Sequence, residues 1–348
     1  ESRILAELVD EGSLPNVAER VGPEPIVYEP IENIGSYGGT WVRSIPSVDR
    51  LRFYMRYELG CGTLLRFSPH VYPAVPHLVR DYEISDDNRV FTFYLRKIRW
   101  SDGHPFTADD IMFWWEAWAT WQDPVTGDRL GWVPEIVKVR GAEGTIEKID
   151  DHTVRYVFPE PNGIFLEFMT GARGSAFQPM PAHYLRQFHP GFGNPAKIRE
   201  IQEAYQLPSA VQVFKHMREL DNNPELPTLS PWILRTYRAG GPYTLVRNPY
   251  YYAVDTAGNQ LPYLDRIVFR VKNPKMVDIS VVNGESSIQE GQFNDYTDLM
   301  TQQERNGYEV YHWYPAGRSL FAIALNLNRR IEPDKPETAL KHQLLNNK

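Results

Sequence analysis

The sequence predicts a mixed α/β fold built from more than one domain. Its 348 residues are 42% hydrophobic and 23% charged, which lies in the ordinary globular range and provides for at least one large core. Short stretches in which apolar and polar residues alternate, typical of strands, occur beside a stretch with helical periodicity. We find no internal repeat of fixed period.

Two pairs of strands are the first elements that the pattern predicts. Residues 90–95 alternate in polarity, and the polar turn before them predicts pairing with residues 82–85 as a hairpin. Residues 144–149 and 153–158 form a second pair around an Asp-Asp turn, and two prolines end it.

A helix is predicted between these two strand pairs, over residues 107–122. Thr107 is placed to cap it, with Asp110 three residues later to return the capping bond and Asp109 near the positive end of the helix dipole. The helix and the four strands predict a compact α+β subdomain over residues 78–160. One apolar face follows the helical period and comprises Ile111, Trp114, Trp115, Trp118 and Trp121.

The remaining sequence predicts a less regular set of elements. Residues 1–36 combine a short helix with a proline-rich run and predict an N-terminal arm. A helix is predicted at 50–59, and two further strands are predicted at 243–246 and 267–271.

Composition argues against several classes of protein. No apolar run approaches the roughly 18 residues that a membrane-spanning helix requires, and the single cysteine, Cys61, excludes an internal disulfide and a multi-cysteine metal site. The net charge of -7 and the lack of a long basic run argue against nucleic acid as a partner. The first residues lack the basic start and apolar stretch of a signal peptide, so composition leaves the compartment open.

A long, ordered set of motifs resembles the peptide, dipeptide and nickel solute-binding family of bacterial ABC importers. The signature consists of DYEISDD at 81–87, FTFYLRK at 91–97 and WSDGHPFTADD at 100–110. Further matches follow in the order of the family, over about residues 37–348: IDDHTV at 149–154, GPYTL at 241–245, NPYY at 248–251, LDRI at 264–267, GQFND at 291–295 and ALNLN at 324–328.

The resemblance implies a two-lobed fold like that of periplasmic binding proteins, with the signature subdomain inserted into one lobe. Lobe I would comprise residues 37–77 and 161–295, with residues 78–160 inserted between them. Residues 296–348 would begin lobe II. Family members continue well beyond this point, so we expect most of the second lobe to be missing from the chain.

The resemblance also implies capture of a solute rather than catalysis. We expect an extracytoplasmic protein, in the periplasm or on the cell surface as a lipoprotein, which is a monomer, needs no cofactor or metal and delivers its solute to an ABC permease. Oligopeptides are the leading ligand class and oligosaccharides the alternative, because tyrosine and tryptophan suit pockets for either. A hydrolase of peptides or glycans is the alternative from another class, but no motif of a nucleophile or phosphate loop supports one.

In the family, the loop and helix after the first strand of lobe I lie at the floor of the cleft and contact the ligand backbone. The residues in these positions are Ser47, Arg50, Tyr54 and Arg56. Their alternative role is that of an ordinary surface helix.

Two further groups are weaker candidates for ligand contact. Gly240 and Gly241 would let a backbone approach a ligand closely, and Tyr243 follows them. Trp121 and Trp132 lie at or beyond the end of the tryptophan-rich helix, where a ring could face the cleft or pack in the core.

Carboxylates and histidines near the signature suggest a catalytic or metal cluster only superficially. Turn and capping positions account for Asp102, Asp109 and Asp110. His183 and His189 are six residues apart, whereas a metal pair on one helix face needs three or four, and we expect both at the surface.

Overall fold

A computed structural model describes most of the chain. The described residues are 1–60, 62–68, 73–170, 174, 177, 179–236, 241–290, 293, 295–312 and 335. The chain divides into two compact units, Glu1–Asn306 and Gly307–Lys348. The predicted start of lobe II, 296–348, therefore lies largely outside the described residues.

The described elements mix helices and strands, as predicted. The strands are β1 (Ile26–Tyr28), β2 (Thr40–Ile45), β3 (Leu65–Phe67), β4 (Ala74–Pro76), β5 (Val79–Ile84), β6 (Val90–Leu95), β7 (Lys138–Val139), β8 (Ala142–Glu143), β9 (Thr145–Asp150), β10 (Thr153–Val157), β11 (Trp232–Thr236), β12 (Tyr243–Arg247), β13 (Ala253–Asp255) and β14 (Arg266–Val271). The α-helices are α1 (Arg3–Asp10), α2 (Val17–Val21), α3 (Val48–Phe53), α4 (Ala108–Phe113), α5 (Phe165–Thr170), α6 (Ala182–Leu185), α7 (Pro195–Ala204), α8 (Ala210–Met217), α9 (Lys275–Val282) and α10 (Tyr296–Asn306).

One four-stranded sheet has the order β11-β12-β14-β2. Strand β2 runs parallel to β14, and the other pairs are antiparallel. Its apolar face forms a core with the helical segment that follows β2; the core includes Ile45, Leu51, Tyr54, Leu245 and Phe269. The predicted strands at 243–246 and 267–271 are confirmed as the middle of this sheet.

The second four-stranded sheet is antiparallel, with the order β5-β6-β10-β9. It contains the predicted hairpin and the predicted second strand pair, and both are confirmed. Helix α4 lies beside this sheet. The apolar core around them is the larger of the two cores and extends beyond both ends of the segment 78–160, since its members include Leu64, Leu229 and Tyr251. The domain boundaries remain predictions.

The capped helix begins at the predicted position and ends at Ala119, three residues before the predicted end at residue 122. The Asp110 carboxylate accepts a hydrogen bond from the Thr107 backbone N–H at 3.0 Å. After α4 the helix continues as a π-helix, Trp114–Ala119. Its last i→i−5 bond runs from the Thr120 N–H to the Trp115 carbonyl, which also accepts the Thr120 hydroxyl at 2.8 Å. Trp114, Trp115 and Trp118 are 2%, 9% and 4% exposed, so the predicted apolar face is confirmed.

The N-terminal residues are fastened to the rest of the first unit by one strand and one buried arginine. Strand β1 pairs in parallel with β13. The Arg20 side chain is fully buried and donates to the Pro15 carbonyl at 2.9 Å and to Gln260 Oε1 at 3.2 Å. A buried guanidinium needs such partners because burying it without them is costly.

Candidate functional site: an aromatic cleft with paired arginines

A cleft of about 1070 Å³ lies within the first unit. Its lining residues lie on four stretches of chain, together with Trp100: the helical segment after β2 and the residues up to Gly62, the tryptophan-rich helix with the loop after it, residues 179–185, and the segment from the end of α8 toward β11. Its lining combines aromatic rings with charged side chains, which include Phe53, Tyr57, Trp114, Trp118, Trp132, Arg52, Arg56, Arg129, Arg218, Glu219 and Asp221. Ligand sites are commonly concave and apolar with a few polar groups, as this one is.

Trp118 and Trp132 form the aromatic wall of the cleft. Their rings meet edge to face with centroids 5.9 Å apart. Trp132 is 57% exposed, whereas Trp118 is buried. The Arg218 guanidinium lies over the Trp118 ring at 3.9 Å, a cation–π contact that holds the charge at the cleft.

Ion pairs fix the charged side chains that line the cleft. Arg52 Nε lies 2.6 Å from an Asp221 carboxylate oxygen. Glu219 accepts from two arginines, Arg218 at 2.9 Å and Arg56 at 3.4 Å. Because these pairs join the helical segment after β2 to the segment after α8, they hold two walls of the cleft together.

Two of the predicted site residues, Arg56 and Trp132, come together as lining of this cleft. The sequence interpretation did not include Trp118, Arg218, Arg52 or Arg129 among the ligand contacts. Trp118 was assigned to the core, which is correct for most of its surface. Arg218 follows α8 with no distinguishing motif, so no signal in the sequence marks it.

Three other predicted residues of the same segment lie near the core. Tyr54 is fully buried; its ring stacks on Phe269 at 5.6 Å and its hydroxyl donates to the Glu290 carbonyl at 3.2 Å. The Arg50 guanidinium lies over the Phe53 ring at 4.3 Å, and Ser47 directly precedes α3. Ligand contact by these three remains a prediction.

The remaining predicted residues are spread over two places. Trp121 packs edge-on against His189 at 4.9 Å between centroids and is not among the lining residues of the cleft. Tyr243 is 2% exposed in β12. Gly241 adopts a φ of 76°, which favours glycine, and precedes a cis proline. Gly240 lies outside the described residues.

Comparison with known proteins places the chain in a family. A family model described as bacterial extracellular solute-binding proteins, family 5, middle, matches residues 74–347. The chain belongs to this family. The family 5 resemblance predicted from the signature is thereby confirmed.

Relatives of this family 5 chain include binders of different solutes. The periplasmic alpha-galactoside-binding protein of Rhizobium meliloti is 28% identical over 304 residues, which cover 82% of this chain and 41% of that protein. The dipeptide-binding protein of Escherichia coli is 29% identical over 118 residues, or 30% of this chain and 21% of that protein. These relatives are solute-binding transport proteins rather than enzymes.

Solved structures of family 5 proteins share the fold. An oligopeptide-binding protein, OppA, aligns with a TM-score of 0.76 and 34% identity over 88% of this chain and 47% of that one. The periplasmic binding protein MelB of Agrobacterium fabrum C58, solved with stachyose, aligns with a TM-score of 0.66 and 25% identity. The alignment covers 87% of this chain and 44% of that one. The chain therefore spans less than half the length of these relatives. They are two-lobed periplasmic binding proteins, and the predicted fold class is confirmed.

The three carboxylates near the signature have structural partners. Asp110 accepts from Thr107, from Trp100 Nε1 at 3.0 Å and from the Ala182 N–H at 2.9 Å. Asp109 pairs with Lys148 at 2.9 Å, and an Asp102 oxygen lies 2.7 Å from His183 Nε2. Helix capping, the ion pair with Lys148 and the contact with His183 account for the three carboxylates.

The expectation that His189 lies at the surface is wrong. The side chain is fully buried, stacked on Phe192 at 3.8 Å between centroids, with Nε2 2.9 Å from the Ala117 carbonyl. Aromatic neighbours from distant parts of the chain, such as Phe113 and Phe214, cover it, which its local sequence does not indicate. Burial lowers its pKa to about 4.

The residues with described positions contain neither a metal cluster nor a membrane-spanning helix. Among them, no group of three or more His, Cys, Asp or Glu side chains has the arrangement that a metal ion requires. Within the same part of the chain, no helix combines the length and the apolar character needed to cross a bilayer.

Proposed function

We propose that this protein is the solute-binding component of an ABC importer and that it captures oligopeptides. The observation that carries the proposal is the cleft of about 1070 Å³, lined by rings and paired charges, in a chain that shares 34% identity and the fold of an oligopeptide-binding protein. Volumes of roughly 300–1,000 Å³ are typical of ligand pockets. A short peptide is of the size that such a space accommodates.

The chemistry of the lining suits a peptide whose side chains vary. Trp132, Phe53 and Tyr57 expose 57%, 40% and 38% of their surfaces and offer apolar faces to side chains of any sequence. Charged groups beside them can meet the polar ends of the ligand. Water in the remaining space would let side chains of different sizes bind.

The mechanism that we propose is capture without turnover. In the whole protein a second lobe closes over the solute, and the contacts with both lobes favour the closed form over the open one. The closed protein then presents the solute to a membrane permease from an extracytoplasmic location. In this proposal lobe I comprises residues 37–77 and 161–295. The inserted subdomain comprises residues 78–160, and lobe II begins near residue 296.

An oligosaccharide is the second candidate solute, and Trp132 is the observation that favours it. Its ring is the most exposed one in the cleft, and an indole face can stack on a sugar ring. The alpha-galactoside-binding relative and the stachyose complex of MelB support this candidate.

Calorimetry on the full-length protein separates the candidates. We would titrate peptides of two to five residues, the galactosyl oligosaccharides raffinose and stachyose, and a neutral disaccharide as control. Micromolar binding of peptides with no heat from the sugars supports the peptide proposal, and the reverse result replaces it with the second candidate. Binding of neither class would refute solute capture in this cleft.

Mass spectrometry of the incubated ligand tests capture against hydrolysis. We expect the peptide to be recovered intact in stoichiometric amount after protein denaturation. Cleaved products that accumulate beyond one equivalent of protein would support the hydrolase alternative instead.

A further inference from the structure

Three asparagines of the chain are followed directly by glycine, and they are Asn162, Asn283 and Asn306. An Asn–Gly bond favours attack of the main chain on the side chain, because glycine has no Cβ to keep its nitrogen away from the asparagine carboxamide. The reaction needs a carboxamide that is free to turn toward the main chain and a glycine N–H that is free of hydrogen bonds. The three pairs differ in both respects.

The first pair is protected by burial. Asn162 is 5% exposed, and its Nδ2 donates to the Ile136 carbonyl at 2.9 Å. Its backbone N–H donates to the Asn88 carbonyl, also at 2.9 Å. To reach the Gly163 nitrogen the carboxamide would have to give up its bond inside the protein, where water does not replace it.

The second pair is exposed, but both of its reacting groups are engaged. Asn283 follows helix α9, and the Gly284 N–H donates to the Val281 carbonyl at 2.9 Å, which closes the end of the helix. The Asn283 carboxamide donates to the Glu285 carboxylate. Attack within this pair therefore requires two hydrogen bonds to break.

The third pair is exposed and has neither constraint. Asn306 is the last residue of α10, and Gly307 follows it with a φ of 68°, which favours glycine. The part of the chain that the structure describes provides no hydrogen-bond partner for the Gly307 N–H or for the Asn306 carboxamide. Helix ends also open at little cost in free energy. The bond between these two residues joins the two compact units of the chain.

We infer that Asn306 is a deamidation site, at which the chain modifies itself to aspartate and isoaspartate. The Gly307 nitrogen attacks Cγ of Asn306 and forms a C–N bond, and the carboxamide nitrogen leaves as ammonia with the glycine proton, which solvent transfers. The product is a five-membered succinimide ring. Water then adds to one ring carbonyl and breaks its C–N bond. Opening at the side-chain carbonyl gives aspartate, and opening at the main-chain carbonyl gives isoaspartate.

Both products change the connection between the two units. Each places a carboxylate at the C-terminal end of α10, where the helix dipole is negative and favours cations such as Arg305. Isoaspartate also lengthens the main chain by one carbon, because the chain then runs through Cβ and Cγ. We expect the last turn of α10 to open more readily after the reaction.

The test measures modification at all three pairs in the folded full-length protein. The protein is incubated in mildly alkaline buffer, and peptide mapping by mass spectrometry follows the appearance of aspartate and isoaspartate at each asparagine. Asn306 should react about tenfold or more faster than Asn162 and Asn283, because a hydrogen-bonded pair must first open. In water labelled with heavy oxygen the product should carry the label, since ring opening takes its oxygen from water.

Two controls assign the difference to the structure and the product to Asn306. In urea the three pairs should react at similar rates, because the contacts that distinguish them are gone. Asn306→Gln should remove the product at this position, since glutamine would have to form a larger ring. Asn283→Gln is the matched control, at another exposed residue that ends a helix, and should leave the rate at Asn306 unchanged. Both variants alter exposed side chains and should fold.

The outcomes decide the inference without reference to any solute. Equal rates at the three pairs in the folded protein, or faster reaction at Asn162 or Asn283, would overturn it. A rate at Asn306 in the folded protein more than about tenfold below its rate in urea would show that the structure protects this pair as well, and would also overturn it. Selective reaction at Asn306 that Asn306→Gln abolishes supports it.

Discussion

Trp118 and Trp132 lie edge to face with ring centroids 5.9 Å apart, yet one ring is 4% exposed and the other 57%. The pair thus connects the core to the cleft. Trp118 belongs to the larger apolar core, and Trp132 extends the same aromatic surface into solvent. Substitutions of these two neighbours should therefore have different consequences.

Trp132→Ala should reduce solute affinity about tenfold and leave the free energy of unfolding within about 1 kcal/mol, because an exposed ring contributes contact surface rather than core packing. Trp118→Ala should instead cost about 3–5 kcal/mol of stability. Calorimetry with the bound solute and urea unfolding measure the two effects. Equal solute affinity in Trp132→Ala and the unmodified protein would contradict the assignment of Trp132 to the binding surface.

Gly131→Ala should disturb the aromatic wall. A methyl group at Gly131 would overlap the Trp118 indole, at 2.6 Å from Nε1, so the ring must shift. We expect a loss of about 1–3 kcal/mol of stability from this overpacking and weaker solute binding. Gly163→Ala is the control, because a methyl group there would meet nothing within 4 Å. A Gly131→Ala protein as stable as this control would show that the wall tolerates the shift.

Asp110→Ala should destabilise the fold by about 3 kcal/mol. The substitution leaves three donors without their acceptor, the N–H groups of Thr107 and Ala182 and the indole of Trp100, in a buried place. Asp109→Ala, one residue earlier and exposed, should change stability by no more than about 0.5 kcal/mol. Urea unfolding at neutral pH measures both, and similar values for the two would argue against the capping role of Asp110.

Stability should fall as the pH drops below about 6.5, in part because of His189. The Gly191 N–H donates to Nδ1 at 3.1 Å, and Nε2 faces the Ala117 carbonyl, so the folded protein holds the neutral ring. Its folded pKa, about 4, lies below the ordinary 6.5, and the unfolded state therefore binds the proton first. The contribution is present above pH 6.5 and is lost as the pH falls toward 4, by about 3 kcal/mol.

His189→Gln should therefore flatten the dependence of the unfolding free energy on pH between 7 and 5. Buried His77, whose pKa is lowered to about 3 by burial, maintains part of the slope in that variant. His104→Gln, at an exposed position, serves as the control and should keep the full slope. An identical slope in His189→Gln and the unmodified protein would contradict the role of His189.

The strands and the capped helix could be predicted because their information is local. Alternation along 90–95 and the Thr107–Asp110 capping pair each involve a few neighbouring residues, and the structure has both. The predicted end of that helix was less accurate, because the change to π-type bonding after Phe113 has no simple sequence signal.

The candidate site was only partly predictable. Arg56 and Trp132 were singled out and do line the cleft, whereas Tyr54 and Tyr243 are packed in the core. A tyrosine has the same sequence signature in either place, since an apolar ring with a polar edge suits a core as well as a pocket.

By itself the sequence determined the family, the mixed fold class, the signature hairpin and the apolar face of its helix, because motif order and short-range periodicity lie in contiguous residues. Only the tertiary structure decided that Arg56 and Arg218 share Glu219, that Trp132 stands exposed over Trp118, and that His189 is buried. Those relationships join residues far apart in the chain, and they exist only once packing has brought the segments into contact.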